Sequence, residues 1–197
     1  MLEAISFGDA GWGDEMLMGA FWTVAVSISS ILLGLVIGII FAGFKLSSIR
    51  VLNLIAEFYT TIIRGVPELL VIYLLFFGGG SAVMYVAKIF GYFGYIELQP
   101  FVIGTLAVGA ISGAYSTEVI RGAVNAIPRS QFETGSALGL KGFRLYQKII
   151  FPQVARLALP GIGNVWQITL KDTALISVTG LVEIMRQSRI ASGSTHE

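Results

Sequence analysis

The residues of this sequence with the clearest chemical potential are charged side chains that stand inside long apolar segments. They form three pairs of opposite sign, which are Arg64 with Glu68, Glu118 with Arg121, and Lys171 with Asp172. Charges at membrane depth are costly and are usually retained for a function, and residues three or four apart on a helix can pair. Sites with both signs would suit a ligand that carries both charges.

The third pair and the residue after it, Thr173, are the strongest candidates for a ligand path. They follow a stretch rich in glycine and proline, and interrupted segments of this kind point to the binding sites of transporters. Two amides of the same stretch can contribute hydrogen bonds, namely Asn164 and Gln167. We therefore expect this part of the chain to contact a polar ligand.

The other two pairs allow more than one interpretation. Arg64 and Glu68 could contact a substrate, or they could form a structural ion pair that holds two spans together. Pro67 between them should kink the helix, because proline opens its hydrogen-bond ladder. Glu118 and Arg121 are better suited to anchoring a helix end near the cytoplasm.

The sequence lacks residues that several kinds of enzyme need. It has no cysteine, and its single histidine is the penultimate residue, His196, so neither a metal site nor a nucleophilic catalytic site is expected. It also lacks a Walker-type GxxxxGK(S/T) motif. Any ATP hydrolysis would therefore take place on another polypeptide. The net charge of +1 gives no indication of nucleic acid.

The composition is that of an integral membrane protein. Hydrophobic residues make up 55% of the chain and charged residues 13%, about half the charged fraction of a soluble domain. Apolar runs of the roughly 20 residues that span a bilayer lie at about 16–44, 52–77, 99–120 and 152–170. Gly78-Gly79-Gly80 should end the second run, and the aromatic-rich segment 81–97 should lie at the membrane surface.

The distribution of lysine and arginine predicts the orientation, because both are enriched in cytoplasmic loops. The first loop carries Lys45 and Arg50, and the polar segment 129–156 with its flanks carries most of the others. The stretch before the first span carries none. The N-terminus should therefore lie outside, and 129–156 should face the cytoplasm.

The polar segment 129–156 has the pattern of two short helices joined by a glycine. Ser130 and Glu133 fit a capping box, in which each side chain accepts from the other residue's backbone N–H. The first helix should run over about 131–138, and Gly135 should weaken it by about 1 kcal/mol relative to alanine. Gly139 suits the left-handed position that follows a helix.

The second short helix should run over about 142–151. Its apolar face would carry Phe143, Tyr146 and Ile150. Pro152 should mark a turn into the fourth span, because proline cannot continue the helical ladder. Two short helices joined in this way make a compact knob suited to docking a soluble partner.

The spacing of Glu133, Gly139, Ile149, Phe151 and Pro152 resembles the "EAA" cytoplasmic loop in membrane subunits of binding-protein-dependent ABC importers. Three further segments are similar to the polar amino-acid branch of that family, in particular to Q-type subunits of histidine, lysine–arginine–ornithine and opine uptake systems. They read RGVPEL at 64–69, LPGIGNVWQ at 159–167 and KDTALIS at 171–177.

The resemblance implies an all-α integral membrane fold, the transmembrane domain of a type I ABC importer, over 1–197. Family members carry a further span after the segment matching 191–195, so we expect four spans here and the fifth to be missing. The resemblance also implies a permease subunit of the bacterial inner membrane. It would import polar amino acids, basic ones in particular, or opines.

The partners and the coupling residues follow from the same resemblance. Two separate ATPase subunits would bind ATP and Mg²⁺, a second homologous permease subunit would complete a heterodimer, and an extracytoplasmic binding protein would deliver substrate. The chain itself would contact membrane lipid, with no cofactor and no nucleic acid. The loop that seats in the ATPase would use Ser130, Glu133, Gly139, Ile149 and Pro152.

Two other classes of protein remain as alternatives. An ion-coupled secondary transporter or channel subunit would explain the charge pairs but not the glycine-centred knob. A membrane anchor for a soluble enzyme would explain the spans, whereas charges inside them disfavour it.

Overall fold

The computed structural model describes residues 6–8, 11–92, 94 and 99–195. Its helices are α1 (Gly13–Leu46), α2 (Arg50–Gly65), α3 (Glu68–Tyr73), α4 (Gly79–Ile89), α5 (Pro100–Asn125), α6 (Arg129–Ala137), α7 (Phe143–Leu145), α8 (Phe151–Asp172) and α9 (Ile184–Thr195). Two π-helical segments, Leu74–Gly78 and Tyr146–Ile150, and a 3-10 segment, Thr173–Thr179, lie between them. The predicted all-α fold is confirmed. His196 lies outside the described residues.

Three helical stretches of the described residues are long and apolar enough to cross a membrane. They are α1, the continuous run Glu68–Ile89 and α5. The predicted fourth span, 152–170, lies within α8, which is of similar length but more polar and is not one of the three. Its crossing of the bilayer therefore stays a prediction.

The second span differs from the sequence-based expectation of 52–77. α2 ends at Gly65, Val66 is extended (φ −106°, ψ 143°), and a new helix begins after Pro67. It continues through the three glycines to Ile89. A helical glycine costs only about 1 kcal/mol, which is less than unpaired backbone groups cost in apolar surroundings. Proline constrains the residue before it to extended backbone, so the break falls there instead.

The core of the bundle is the contact between α1 and α5, made by small residues that let the two backbones approach closely. Gly34 and Gly38 of α1 lie against Ser112 and Ser116 of α5. The hydroxyl of Ser112 donates to the carbonyl of Ser30 over 3.1 Å. This contact fixes α5, which carries several of the functional side chains described below.

Gly38 and Gly43 provide a matched test of this packing. A Cβ at Gly38 would lie 2.7 Å from Ser116 Cβ and 3.2 Å from the backbone N of Thr117, whereas nothing lies within 4 Å of a Cβ at Gly43. We expect Gly38→Ala to destabilise the protein by about 1–3 kcal/mol through overpacking. Gly43→Ala should be neutral or slightly stabilising. Equal melting temperatures for the two variants in detergent would contradict the close packing of α1 on α5 at Gly38.

Candidate functional site

Two acidic side chains meet at the place where the second span restarts. Glu68 lies in the first turn of α3, directly after Pro67, and Asp172 is the last residue of α8. The two carboxyl groups are within hydrogen-bonding range of each other. Asp172 is only 6% exposed. The hydroxyl of Tyr115 on α5 donates to Glu68 Oε1 over 3.2 Å, so three separate segments converge on this acid pair.

The acid pair has the chemistry of a cation site. Two carboxylates in contact repel each other unless a proton or a cationic group lies between them. An ammonium or guanidinium group supplies both the charge and several hydrogen-bond donors. Glu68 and Asp172 can therefore bind the cationic group of a ligand inside the bundle.

The remaining candidates on and after α8 do not join the acid pair. Asn164, Gln167 and Lys171 are exposed and lie at helical spacing on another face of α8. The expected pairing of Lys171 with Asp172 is wrong for the described residues, because adjacent helical positions do not face each other. Thr173 is buried near the pair, but its hydroxyl donates to the carbonyl of Leu170 over 2.7 Å.

The expected pair of Arg64 and Glu68 is also not formed. The break at Pro67 places them on different helices, so the four-residue spacing no longer puts them on one face. Instead, Arg64 Nη1 lies 3.9 Å from Glu118 Oε1. The Arg64 guanidinium also lies 5.6 Å from the centre of the Tyr115 ring, within the range of a cation–π contact.

The third expected pair, Glu118 with Arg121, is confirmed and belongs to a larger cluster. Arg121 donates to Glu118 Oε2 through Nε at 3.0 Å and Nη2 at 2.7 Å. Lys45 Nζ lies 2.5 Å from Glu118 Oε1 and 2.6 Å from Glu57 Oε2. We call Lys45, Glu57, Arg64, Glu118 and Arg121 the inner charge cluster. It joins the end of α1 to α2 and α5.

Sequence reasoning missed Lys45 and Glu57 as members of this cluster. The sequence indicates only that Lys45 lies in a cytoplasmic loop, yet its side chain is 4% exposed. A signal was available in α2, where Glu57, Thr60 and Arg64 recur at helical spacing opposite an apolar face. That polar stripe borders a cavity of about 480 Å³, which the inner charge cluster lines together with Thr60, Thr61 and Gly65.

The first helix of the polar segment begins earlier than expected. Pro128 is the N-cap of α6, and no side chain caps the helix. Ser130 therefore lies inside the first turn and the expected capping box with Glu133 is wrong. Pro128 has φ −61° and ψ 141°, the extended conformation that is usual at an N-cap. Both Ser130 and Glu133 are exposed.

The end of α6 has the expected geometry. Gly139 has φ +80°, its N–H donates to the carbonyl of Ser136, and the N–H of Leu140 donates to the carbonyl of Gly135, both over 3.0 Å. These two bonds form the Schellman motif that ends helices. The left-handed glycine predicted from the sequence is confirmed.

Gly135 has a different role from the one expected. It is buried against the side chains of Leu145 and Ile149, and a Cβ would lie 2.9 Å from Ile149 Cδ1. The glycine thus lets the second part of the polar segment pack closely on α6. This close packing offsets the low helix propensity of Gly135. Half-buried Ile149 belongs to the same small apolar cluster, with Leu145 and Ile150 at its centre.

The second helix of the polar segment continues across Pro152 instead of stopping there. The helical path runs from α7 through the π segment Tyr146–Ile150 into α8, and Pro152 lies in the first turn of α8. A π segment shifts the hydrogen bonds by one residue, which accommodates the missing N–H of proline. The exposed Phe143 and Tyr146 do not share the buried face of Ile150.

Gly139 gives a direct test of the joint between the two helices. We expect Gly139→Ala to destabilise the polar segment by about 1–2 kcal/mol, because a side chain disfavours the left-handed conformation by that amount. Gly122→Ala is the matched control, since Gly122 has ordinary helical geometry and open space around its Cβ position. The readout is hydrogen–deuterium exchange of residues 129–150, and equal exchange in both variants would contradict the prediction.

Apolar helices that pack beside charged clusters, together with a polar segment that folds into a knob, are typical of a membrane transport component. The chain belongs to the family of binding-protein-dependent transport system inner membrane components, which matches residues 34–195. It is thus a permease component of an ABC importer, a multi-pass protein of the inner membrane that works with ATPase and binding-protein partners. The alternative of a secondary transporter or channel gains no support.

The relatives include permeases for several nitrogen-rich substrates. The nopaline transport system permease of Agrobacterium fabrum is 51% identical over 197 residues, covering 100% of this chain and 84% of that protein. The histidine/lysine/arginine/ornithine transport system permease of Escherichia coli is 43% identical over 187 residues, covering 95% and 82%. A crystal structure of an amino acid ABC transporter with histidines matches with TM-score 0.78 and 28% identity, covering 94% of this chain and 81% of that one.

Proposed function

We propose that this subunit imports amino acids with a basic side chain, or opines, and that the acid pair binds their cationic group. The contact between the carboxyl groups of Glu68 and Asp172 carries the proposal. A carboxylate pair in which one member is buried favours a cation over a neutral or acidic ligand. The names of the relatives, which include systems for lysine, arginine, ornithine and histidine, support the same ligand class.

The acid pair lies where a conformational change would alter it. Glu68 begins the helix after the break at Pro67, and Asp172 ends α8 just before the 3-10 segment. A tilt of one helix relative to the other would therefore separate the two carboxyl groups. Separation lowers the affinity of the two carboxyl groups for a cation. Alternating access requires such a loss of affinity for the substrate to be released.

We further infer that the polar segment is the cytoplasmic coupling loop. Its knob exposes Leu138 and Phe143, which are 73% and 78% accessible, and exposed apolar groups of this kind suit a protein interface. Ser130, Glu133 and Gly139 lie on the exposed helix and turn, while Ile149 and Pro152 connect the knob to α8. The N-terminus would then lie outside.

Motion of the knob would reach the acid pair along one helical path. Tyr146–Ile150 joins the knob to α8, and α8 ends at Asp172. We propose that ATP and Mg²⁺ bind two partner ATPase subunits, whose closure moves the knob and tilts α8. A second homologous permease subunit would complete a heterodimer, and its surface would cover the exposed polar face of α8.

Reconstitution tests the proposed function. The assembled transporter, containing this subunit, its partner permease and the ATPase, is placed in proteoliposomes with its binding protein outside and ATP inside. We expect uptake of labelled arginine that depends on ATP, with much slower uptake of glutamate. Preference for glutamate, or uptake that is independent of ATP, would contradict the proposal.

A further inference from the structure

We propose that the cavity beside the inner charge cluster is a second binding station for the same ligand, reached after the acid pair. The ligand class is an amino acid with a cationic side chain, with its carboxylate on Arg64 and its cationic end on Glu57. This inference rests on the proposed function for the identity of the ligand. The cavity is an open cleft of about 480 Å³, which is large enough for a small molecule.

Two members of the inner charge cluster keep unused binding capacity, whereas the others are committed to each other. Lys45 lies between two carboxylates, and Arg121 donates twice to Glu118. Arg64 stands 3.9 Å from its nearest carboxylate oxygen, beyond hydrogen-bonding distance, and donates no hydrogen bond to another described residue. Its guanidinium has five N–H donors. Arg64 can therefore donate hydrogen bonds to an incoming carboxylate.

Glu57 is the complementary group for the cationic end. Its Oε2 contacts Lys45, and its Oε1 has no ion-pair partner among the described residues. Its side chain is 59% exposed, so a ligand can reach it without breaking the cluster. Glu57 therefore supplies a free carboxylate oxygen at the other end of the cavity from Arg64.

The spacing between these two groups fits a ligand with opposite charges at its two ends. The contacts that link Glu57 to Arg64 through Lys45 and Glu118 keep Glu57 Oε2 and Arg64 Nη1 within about 9 Å of each other. Thr61 lies between them on the wall of the cavity. A basic amino acid, whose carboxylate and cationic group are joined by a flexible alkyl chain, would bend over Lys45 and Glu118 to contact both groups.

Arg64 also connects the cavity to the acid pair. Its guanidinium lies 5.6 Å from the centre of the Tyr115 ring, and the hydroxyl of the same ring donates to Glu68. A ligand released from Glu68 and Asp172 would thus meet Arg64 next. The carboxylate would be held first, and the cationic end would then turn toward Glu57.

The test is equilibrium binding of labelled arginine to the assembled transporter in detergent, without binding protein and without ATP. We expect wild type to bind one more equivalent per copy of this subunit than Glu57→Gln does at concentrations near saturation of the acid pair. Loss of a hydrogen bond to a charged group should weaken the station about tenfold or more. Glu15→Gln, an exposed acid of α1, is the matched control.

A decarboxylated analogue of arginine provides a second arm. Because it lacks the group that Arg64 would hold, we expect it to occupy the acid pair but not the inner station. Its binding should therefore be unaffected by Glu57→Gln and abolished by Asp172→Asn. Loss of its binding in Glu57→Gln would overturn the assignment of the two ends.

The outcomes separate this inference from the proposed function. Wild-type stoichiometry and affinity in Glu57→Gln would overturn the second station while leaving the acid pair in place. Unchanged binding in Asp172→Asn, with loss in Glu57→Gln, would instead overturn the acid pair. If Arg64 held a lipid phosphate instead of the ligand's carboxylate, Glu57 would not be needed. Binding of arginine that is unaffected by Glu57→Gln would therefore also contradict the second station. Because Glu57→Gln also removes the ion pair with Lys45, a lower melting temperature is expected, and co-purification of the variant with the ATPase and partner permease verifies that the complex stays assembled.

Discussion

Replacement of Asp172 with asparagine is expected to lower ATP-driven uptake of arginine by about two orders of magnitude, because removal of one partner from a desolvated charge contact costs about 2–5 kcal/mol. Asp172 is buried, and its carboxyl group meets that of Glu68. In Asp172→Asn, one carboxylate remains to hold a cation that normally has two. Glu68→Gln should have a similar effect. The measurement is the initial rate of uptake in proteoliposomes.

Assembly has to be separated from transport in these variants. Both substitutions preserve the shape of the side chain, so the complex should purify with its ATPase and partner permease in wild-type amounts. Glu15→Gln, far along the sequence from the acid pair, controls for the loss of an acidic side chain. Uptake within twofold of wild type in both Asp172→Asn and Glu68→Gln would refute the cation site.

Replacement of Lys45 with methionine should cause the largest loss of stability. The lysine is 4% exposed and contacts two carboxylates, Glu57 and Glu118, at 2.6 and 2.5 Å. Removal of one partner from a buried ion pair costs about 3–5 kcal/mol, since the charge left behind is no longer compensated. We expect the lower part of that range, because Arg121 still pairs with Glu118. Thermal unfolding of the assembled transporter in detergent measures the effect.

A second lysine provides the control for that experiment. Lys88 on α4 is exposed and makes no ion pair with another described residue. Lys88→Met should therefore change the stability by no more than about 0.5 kcal/mol, as is usual for surface positions. Equal melting temperatures for Lys45→Met and Lys88→Met would show that the inner charge cluster does not fasten α1 to α2 and α5.

The sequence predicted the apolar helices well but misplaced the break between two of them. Both Pro67 and the glycines at 78–80 are signals that interrupt a helix. Proline removes a hydrogen bond and forces Val66 into extended backbone, whereas glycine only lowers helix propensity. In apolar surroundings the backbone keeps its hydrogen bonds wherever it can. The break therefore falls at the proline, and the helix continues through the glycines.

The same break explains why one charge pair was predicted incorrectly. The spacing of Arg64 and Glu68 is that of an ion pair on a continuous helix. Once the helix restarts at Glu68, that residue turns toward Asp172, more than a hundred residues away in sequence. Spacing along the chain cannot reveal such a contact, because it depends on how α3, α5 and the end of α8 pack together.

The backbone conformation at a helix end was predictable from the sequence where a single residue determines it. It was less predictable where neighbouring residues compete for the same capping position. Gly139 was expected to be left-handed and is, since a glycine between two helical segments has little competition for that position. Ser130 and Glu133 fit a capping box, yet Pro128 starts the helix earlier and takes the N-cap. Gly135 was expected only to weaken α6, because its contact with Leu145 and Ile149 depends on tertiary packing.

We propose above that Glu68 and Asp172 together bind the cationic group of the substrate. A structure of the assembled transporter with arginine bound, solved by electron cryomicroscopy in nanodiscs, tests it most directly. We predict that the guanidinium lies within hydrogen-bonding distance of both carboxyl groups in the state that has just accepted substrate. Arginine bound only against the exposed face formed by Asn164, Gln167 and Lys171, with the two carboxyl groups still in contact, would contradict the claim.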